Sequence, residues 1–141
     1  MITVPVYVKR SKINGLGVFA TREIKKGKIV VRTGSKEHHY TVEQYKNFSK
    51  RYRELLDKFG YWEDGFFVYP TDDTKYFNHS CEPNVLNFGN VDIAIRDIKN
   101  GEEITYDYKA IPGNRGEFKC NCGSKSCKGI IDRNDKNKKV R

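Results

Sequence analysis

Apolar and polar residues alternate along the first third of the chain. Val4, Val6 and Val8 are interleaved with Pro5, Tyr7 and Lys9, the period of two that turns one face of a strand toward a core. Val18-Phe19-Ala20 and Ile29-Val30-Val31 read as two further strands, with Lys26-Gly27 turning the chain between them. Asn14-Gly15 and Gly17 call for turns or close backbone approach. At Thr41 the period changes. Thr41-Val42-Glu43-Gln44 has the Thr and Gln of a capping box, and Val42, Tyr45, Phe48, Tyr52, Leu55, Leu56 and Phe59 follow at spacings of three and four. This predicts one amphipathic helix, its apolar stripe packed on the core and its end set by Gly60. Residues 61–70 return to strand character, rich in Tyr61, Trp62, Phe66, Phe67 and Tyr69. Residues 76–85 mix polar groups with turn formers and predict irregular structure. Residues 91–96 alternate as a strand, and residues 101–108 read as a turn entering a short strand. One helix among many short strands predicts a mostly β fold.

The chain has 141 residues, 37% hydrophobic and 32% charged, enough for one domain with one modest core. No apolar run approaches the roughly 18 residues of a membrane-spanning helix, so no membrane partner is expected. Nine Tyr, eight Phe and one Trp supply the aromatics that disordered chains lack. Met1-Ile2-Thr3-Val4-Pro5 has neither the basic start nor the apolar stretch of a secretory leader, and an intracellular protein is expected. The formal net charge of +9 is uneven: residues 1–108 hold 17 Lys/Arg and 15 Asp/Glu, residues 109–141 hold 10 and 3. A basic extension of this kind can draw a chain toward nucleic acid. Residues 132–141 read as a basic, disordered tail.

Four cysteines occur, Cys81, Cys120, Cys122 and Cys127. The one-residue gap between Cys120 and Cys122 does not readily let each reach a separate disulfide partner, but it lets two thiolates face one metal. Four thiolates make a closed tetrahedral zinc site with no position for water, and soft sulfur favours zinc over calcium or magnesium. Cys81 is then the fourth ligand and ties the C-terminal segment to the body of the protein. The competing reading is two disulfides or free thiols. A zinc deaminase is poorly supported, because its His-x-Glu and Pro-Cys-x-x-Cys pair is missing.

Three distant segments now combine: Asn14-Gly15-Leu16-Gly17-Val18-Phe19, Asn78-His79-Ser80-Cys81, and Gly101-Glu102-Glu103-Ile104-Thr105-Tyr106-Asp107-Tyr108. With the Cys-x-Cys-x4-Cys run that follows, they resemble the SET-domain protein lysine methyltransferases that carry a zinc-binding post-SET segment. The resemblance covers roughly residues 4–131, and the tail is most similar to that of the trithorax and mixed-lineage-leukaemia group. It implies a β-fold of short strands with one main helix and a pseudoknot-like C-terminal crossing: a SET domain over 1–108, a post-SET zinc segment over 109–131 and a tail over 132–141. It also implies S-adenosyl-L-methionine as cofactor, one structural zinc, and methyl transfer to a lysine of a histone or other basic protein. Location would be nuclear or chromosomal in a eukaryote or its host, and cytoplasmic otherwise.

By the same resemblance Gly15, Leu16, Gly17, Asn78 and His79 bind the cofactor, the glycines by close backbone approach and Asn78 through its amide as well. The His79 ring reads as structural rather than as a base. Tyr108 is the catalytic tyrosine, touching the cofactor and orienting the amine. Tyr106 stands at the family's phenylalanine/tyrosine switch, where a hydroxyl crowds out extra methyl groups and favours monomethylation. On a strand, residues two apart share a face, which would set Tyr106 beside Tyr108. Aromatics among Tyr61, Trp62, Phe66, Phe67 and Tyr69 would wall the lysine channel. Two positions depart from the family pattern: Lys75 replaces a frequent Arg, and Ile130 stands where an aromatic covers the cofactor and would bind it there with weaker stacking. The alternative is a zinc-stapled nucleic-acid- or chromatin-binding module without catalysis, using residues 109–141 for contact.

Overall fold

The computed structural model describes residues 1–32, 36–110 and 116–132. The basic tail predicted for residues 132–141 lies, beyond Asp132, outside the described residues. In chain order the strands are β1 (Val6–Arg10), β2 (Leu16–Ala20), β3 (Ile29–Arg32), β4 (Glu37–Thr41), β5 (Tyr61–Glu63), β6 (Phe66–Pro70), β7 (Asn78–His79), β8 (Val85–Phe88), β9 (Val91–Ala94), β10 (Glu103–Tyr106), β11 (Glu117–Lys119) and β12 (Ile130–Asp132). They form a sheet β1-β2-β10-β7, two three-stranded sheets β3-β9-β8 and β4-β6-β5, and a ribbon β11-β12. The mostly β class expected from the sequence holds.

The crossing centres on β10. It runs antiparallel to β2, pairing Ile104 with Val18, and parallel to β7, pairing Thr105 with Asn78 and Tyr106 with His79. The chain beyond β7 closes over the same strand. Ser80 N–H donates to the Tyr106 carbonyl at 2.9 Å. Asn84, only 1% exposed, accepts from Thr105 N–H at 2.9 Å and donates to the Glu103 carbonyl at 2.8 Å. A fully buried side chain thus does the pairing that a neighbouring strand would do. Val18, Val30, Val85, Ile98 and Ile104 are completely buried against one another and join the first sheet to β3-β9-β8.

The predicted helix is two. α1 (Val42–Asn47) starts with the expected capping box, Thr41 and Gln44 bonding reciprocally. It ends at Phe48, whose extended backbone (ψ 147°) breaks the run. Ser49 then caps α2 (Lys50–Leu56) by accepting from Tyr52 N–H. The local competition of a Ser side chain for backbone donors defeats helix continuity here. The stripe expected to be core is mostly exposed: Leu56 is its buried member, while Val42, Tyr52, Leu55 and Phe59 lie on the surface. Gly60 serves a different purpose from a helix stop. A Cβ there would lie 2.3 Å from Phe67 Cζ, so its absence lets the chain cross the buried Phe67 ring.

Residues 61–70 form a hairpin, with Asp64 (φ 48°) and Gly65 (φ 82°) making the double left-handed turn that suits two-residue β-hairpins. Strands β4 and β8 carry no clear alternation and escape sequence reading. Tyr108 does not continue β10, as the shared-face argument required. It opens a 3₁₀ turn, Tyr108–Ala110, so its position relative to Tyr106 is set by its own contacts and not by strand periodicity.

Asn84→Ala should be costly although it removes few atoms, because Thr105 N–H loses its acceptor inside the core. A loss of about 2–4 kcal/mol is expected. Urea unfolding should show a lower midpoint with an unchanged slope.

Candidate functional site

A cavity of about 910 Å³ opens between the Asn14–Leu16 loop, the 3₁₀ turn Asp73–Tyr76, the start of β7 and the end of β10. Gly15, Leu16, Asn78, Tyr106 and Tyr108 all contribute to its wall. Residues 64 positions apart therefore meet, and the Asn78 side chain is what joins them. Its amide nitrogen donates to the carbonyls of Asn14 at 3.0 Å and Leu16 at 2.9 Å, and lies 2.8 Å from Glu103 Oε1. Glu103 Oε2 in turn accepts from the Ser11 hydroxyl at 2.8 Å. The amide nitrogen thus braces the loop that faces the cavity.

The two loop glycines differ. Gly15 has φ 46° and nothing within 4 Å of where a Cβ would sit; it combines a left-handed backbone with open space on the cavity wall. A Cβ at Gly17 would lie 2.2 Å from Glu103 Oε1, so this glycine makes room for the brace. Gly17 and His79 stand behind the wall. Ile130, 60% exposed on β12, does not reach it within the described residues.

Both tyrosine hydroxyls are committed. Tyr108 donates to the Phe77 carbonyl at 2.5 Å, and Tyr106 donates to Asp92 Oδ2 at 2.8 Å. Phe77 also stacks obliquely on Tyr106, with ring centroids 4.8 Å apart, so one residue locates both phenols. Burial, then the Asp92 charge and hydrogen bond, push the Tyr106 phenol far above its ordinary range. Of the five aromatics considered for the channel, Tyr61 is on the wall among the described residues. Phe67 is core, Trp62 packs on Phe67 at 5.3 Å, and Phe66 is exposed. The Tyr61 phenol is raised by burial first and then by Glu37, Glu63 and Asp92. Lys75, the departure from Arg, lies 5.2 Å from the Tyr76 ring centroid and 5.9 Å from that of Tyr69.

His79 is 3% exposed and occupies both ring nitrogens. Nδ1 accepts from Tyr108 N–H at 3.1 Å, which leaves the proton on Nε2, 3.5 Å from Cys81 Sγ. Phe118 of β11 packs edge-on against the ring at 5.4 Å.

The four cysteine sulfurs lie within 4.8 Å of one another, and Cys81 and Cys120 are 3.9 Å apart. Disulfide sulfurs would be about 2 Å apart. Sulfurs around one tetrahedral zinc, each at about 2.3 Å, are separated by roughly 3.8 Å. The set fits zinc. As thiols, Cys81, Cys120 and Cys122 differ: burial pushes Cys81 up and Cys120 up to about 12. At Cys122 burial is outweighed by hydrogen bonds from Ser124 and backbone amides, which bring it to about 6. A divalent cation would hold all four as thiolates.

Sequence reading missed Phe77, Asp92 and Glu103 as site residues. Asp92 left a signal: in the run Val91-Asp92-Ile93-Ala94 the polar residue is the inward one, since Asp92 and Ala94 are buried and Val91 and Ile93 are half-buried.

Metal analysis of freshly purified, reduced protein should give one zinc per chain. Chelation should release it more readily as pH falls, because each ligand must be deprotonated to bind. Cys81→Ser should lose zinc while its strands persist by circular dichroism. Full zinc affinity in that variant, or no zinc in the wild type, overturns the ligand set.

The SET domain family model matches residues 15–109. The histone-lysine N-methyltransferase trithorax of Drosophila virilis is 32% identical over 147 residues, covering 90% of this chain and 4% of that protein. The human histone-lysine N-methyltransferase 2B is also 32% identical, over 90% of this chain and 5% of that protein. An H3 lysine-9 specific histone-lysine N-methyltransferase of Fusarium mangiferae is 29% identical over 92% of this chain and 49% of its own length. The chain thus spans only a small part of the animal relatives. A crystal structure of a Plasmodium falciparum protein described as a histone methyltransferase superposes with a TM-score of 0.55 at 23% identity, covering 76% of this chain and 95% of that one; this likeness concerns the fold. With a family match across two-thirds of its length, a parallel β7–β10 pair and the Asn78 brace behind a single cavity, the chain belongs to the SET-domain family.

Proposed function

We propose that this chain is a protein lysine N-methyltransferase that uses S-adenosyl-L-methionine. The observation that supports it most directly is the convergence of Gly15, Asn78, Tyr106 and Tyr108 on one cavity. Residues 1–108 are read as the catalytic body and 109–131 as the zinc segment that completes it. The fit of the cofactor rests on the open, left-handed Gly15, where a ligand can lie against bare backbone, and on the Asn78 brace that holds this loop. When bound, S-adenosyl-L-methionine supplies an electrophilic methyl group.

The residues of the chain account for the rest. Each phenol donates its proton to a group of the protein, Tyr108 to the Phe77 carbonyl and Tyr106 to Asp92. An oxygen whose proton is held in this way can offer a lone pair, not a proton, to a group in the cavity. A lysine amine placed between them can give both N–H groups to the phenol oxygens and aim its lone pair elsewhere. That is orientation, the contribution that positioning makes to a bimolecular reaction. A methylated amine has one N–H fewer and fits the same pair of acceptors less well, which supports monomethyllysine as the main product. Histones or other basic proteins are the proposed substrates. The basic composition of residues 109–141 supports an accompanying weak contact with nucleic acid, with the salt dependence such contacts show.

Titration calorimetry with S-adenosyl-L-methionine tests the reading first, followed by mass spectrometry of basic proteins incubated with it. Absence of binding heat together with salt-sensitive DNA binding would favour a non-catalytic module instead. Tyr108→Phe should lower kcat by at least about tenfold, and stability by no more than about 1 kcal/mol, the worth of one hydrogen bond. Full activity on the true substrate would remove Tyr108 from the mechanism. Tyr106→Phe should shift products toward di- and trimethyllysine in a mass-resolved time course; an unchanged distribution overturns its assigned role.

A further inference from the structure

Asp92 is a carboxylate where the strand pattern of its neighbours calls for an apolar side chain. It lies on the inward face of β9 with Ala94, which belongs to the main core cluster. It is 7% exposed and reaches the cavity wall. Every close partner is accounted for. Asn87 of β8, its register partner, donates its amide to Oδ1 at 2.6 Å. Tyr106 of β10 donates its hydroxyl to Oδ2 at 2.8 Å. No Lys or Arg is paired with it among the described ion pairs, all of which lie elsewhere. Both of its named donors are neutral groups, so no cation of the protein is paired with it among the described residues.

We propose that Asp92 is the specificity-determining residue of the amine pocket, holding Tyr106 as a fixed acceptor and supplying the counter-charge for the substrate ammonium. This rests on the methyltransferase reading and adds to it a residue that neither the family motifs nor the chemistry of Tyr106 alone supplies. Two consequences follow from one contact. A phenol whose proton is held by a carboxylate cannot turn to donate into the pocket, so Tyr106 stays an acceptor through every turnover. A carboxylate behind that phenol favours the charged form of a nearby lysine, which aids capture and delays deprotonation. The charged groups that face this region from the packed elements are Glu37 of β4 and Glu63 of β5, which act on Tyr61 in the same sense as Asp92. β3, on the other side of β9, pairs Val31 with Asp92. Lys36 and Lys75 are cations on the wider cavity wall.

Asp92→Asn and Asp92→Leu separate charge from hydrogen bond. Asn retains an acceptor for Tyr106 and removes the charge. Its KM for a lysine peptide should rise about tenfold, the worth of one charge-assisted contact, and the acid limb of its kcat–pH profile should move to lower pH, because the bound amine loses its proton more easily. Leu also frees the Tyr106 hydroxyl, so it should add a shift from mono- toward dimethyllysine that Asn does not show. The Tyr106 hydroxyl proton, followed by NMR in ring-labelled protein without substrate, should be protected from exchange in wild type and Asn but not in Leu. Calorimetry with S-adenosyl-L-methionine should be unchanged in both, which also reports that each folds. An unchanged pH profile and KM in Asn overturns the counter-charge, and an unchanged product ratio in Leu overturns the fixed acceptor. If wild type binds the cofactor but methylates nothing, the methyltransferase reading fails, while the NMR arm still decides the hydroxyl lock.

Discussion

Four residues, Glu103 to Tyr106, are held from both sides, and the remainder of the site depends on that. β2 pairs antiparallel with Glu103 and Ile104, and β7 pairs parallel with Thr105 and Tyr106. Parallel pairing is available only to segments separated by a long crossover, here the 26 residues between Asn78 and Thr105. The crossover contains β8 and β9, so the elements that bring Asn78 beside β10 also bring Asp92. Ile104 anchors the arrangement at 0% exposure. The residues at the strand's two ends, Glu103 and Tyr106, then point at the loop brace and at the amine pocket.

Polar groups inside the site are bonded rather than free, and this fixes what each can still do. Asn78 holds the loop, His79 caps the Tyr108 amide, and Asn84 stands in for a strand. Each is a buried side chain whose donors and acceptors are used on backbone or on another polar group, as burial requires. At the cavity, two phenols whose protons are held by Phe77 and Asp92 share the wall with Lys36 and Lys75. A guest there meets groups of both signs of charge.

Strand identities were readable from alternation in β1 and β9 and from short apolar runs in β2 and β3, and the cysteine spacing led directly to the sulfur cluster. The helical stripe misled because Ser49 recaps the chain, and because the residues from Val42 to Phe59 largely face solvent. Periodicity reports amphipathicity, not what covers the apolar face. Asp92 went unnoticed for a related reason: alternation tells which residues share a face but not which face is inside. The side-chain brace at Asn78 left no periodic trace, since it joins positions 62 and 64 residues apart. Only the motif resemblance brought those segments together in advance.

The cysteine cluster has a mechanical consequence. Cys81 and Cys120 stand 39 positions apart in sequence and touch in space, and β8, β9 and β10 all fall between them. Once a metal clips these sulfurs, tension on the chain from outside this stretch passes from residue 81 to residue 120 through the clip. The loop carrying Asp92, Tyr106 and Tyr108 is thereby bypassed. Pulled from its two sides, the protein should lose β1 and β12 while residues 82–119, with Asp92, Tyr106 and Tyr108, stay under no load, so the half of the cavity wall that precedes Cys81 would part from the half that follows it.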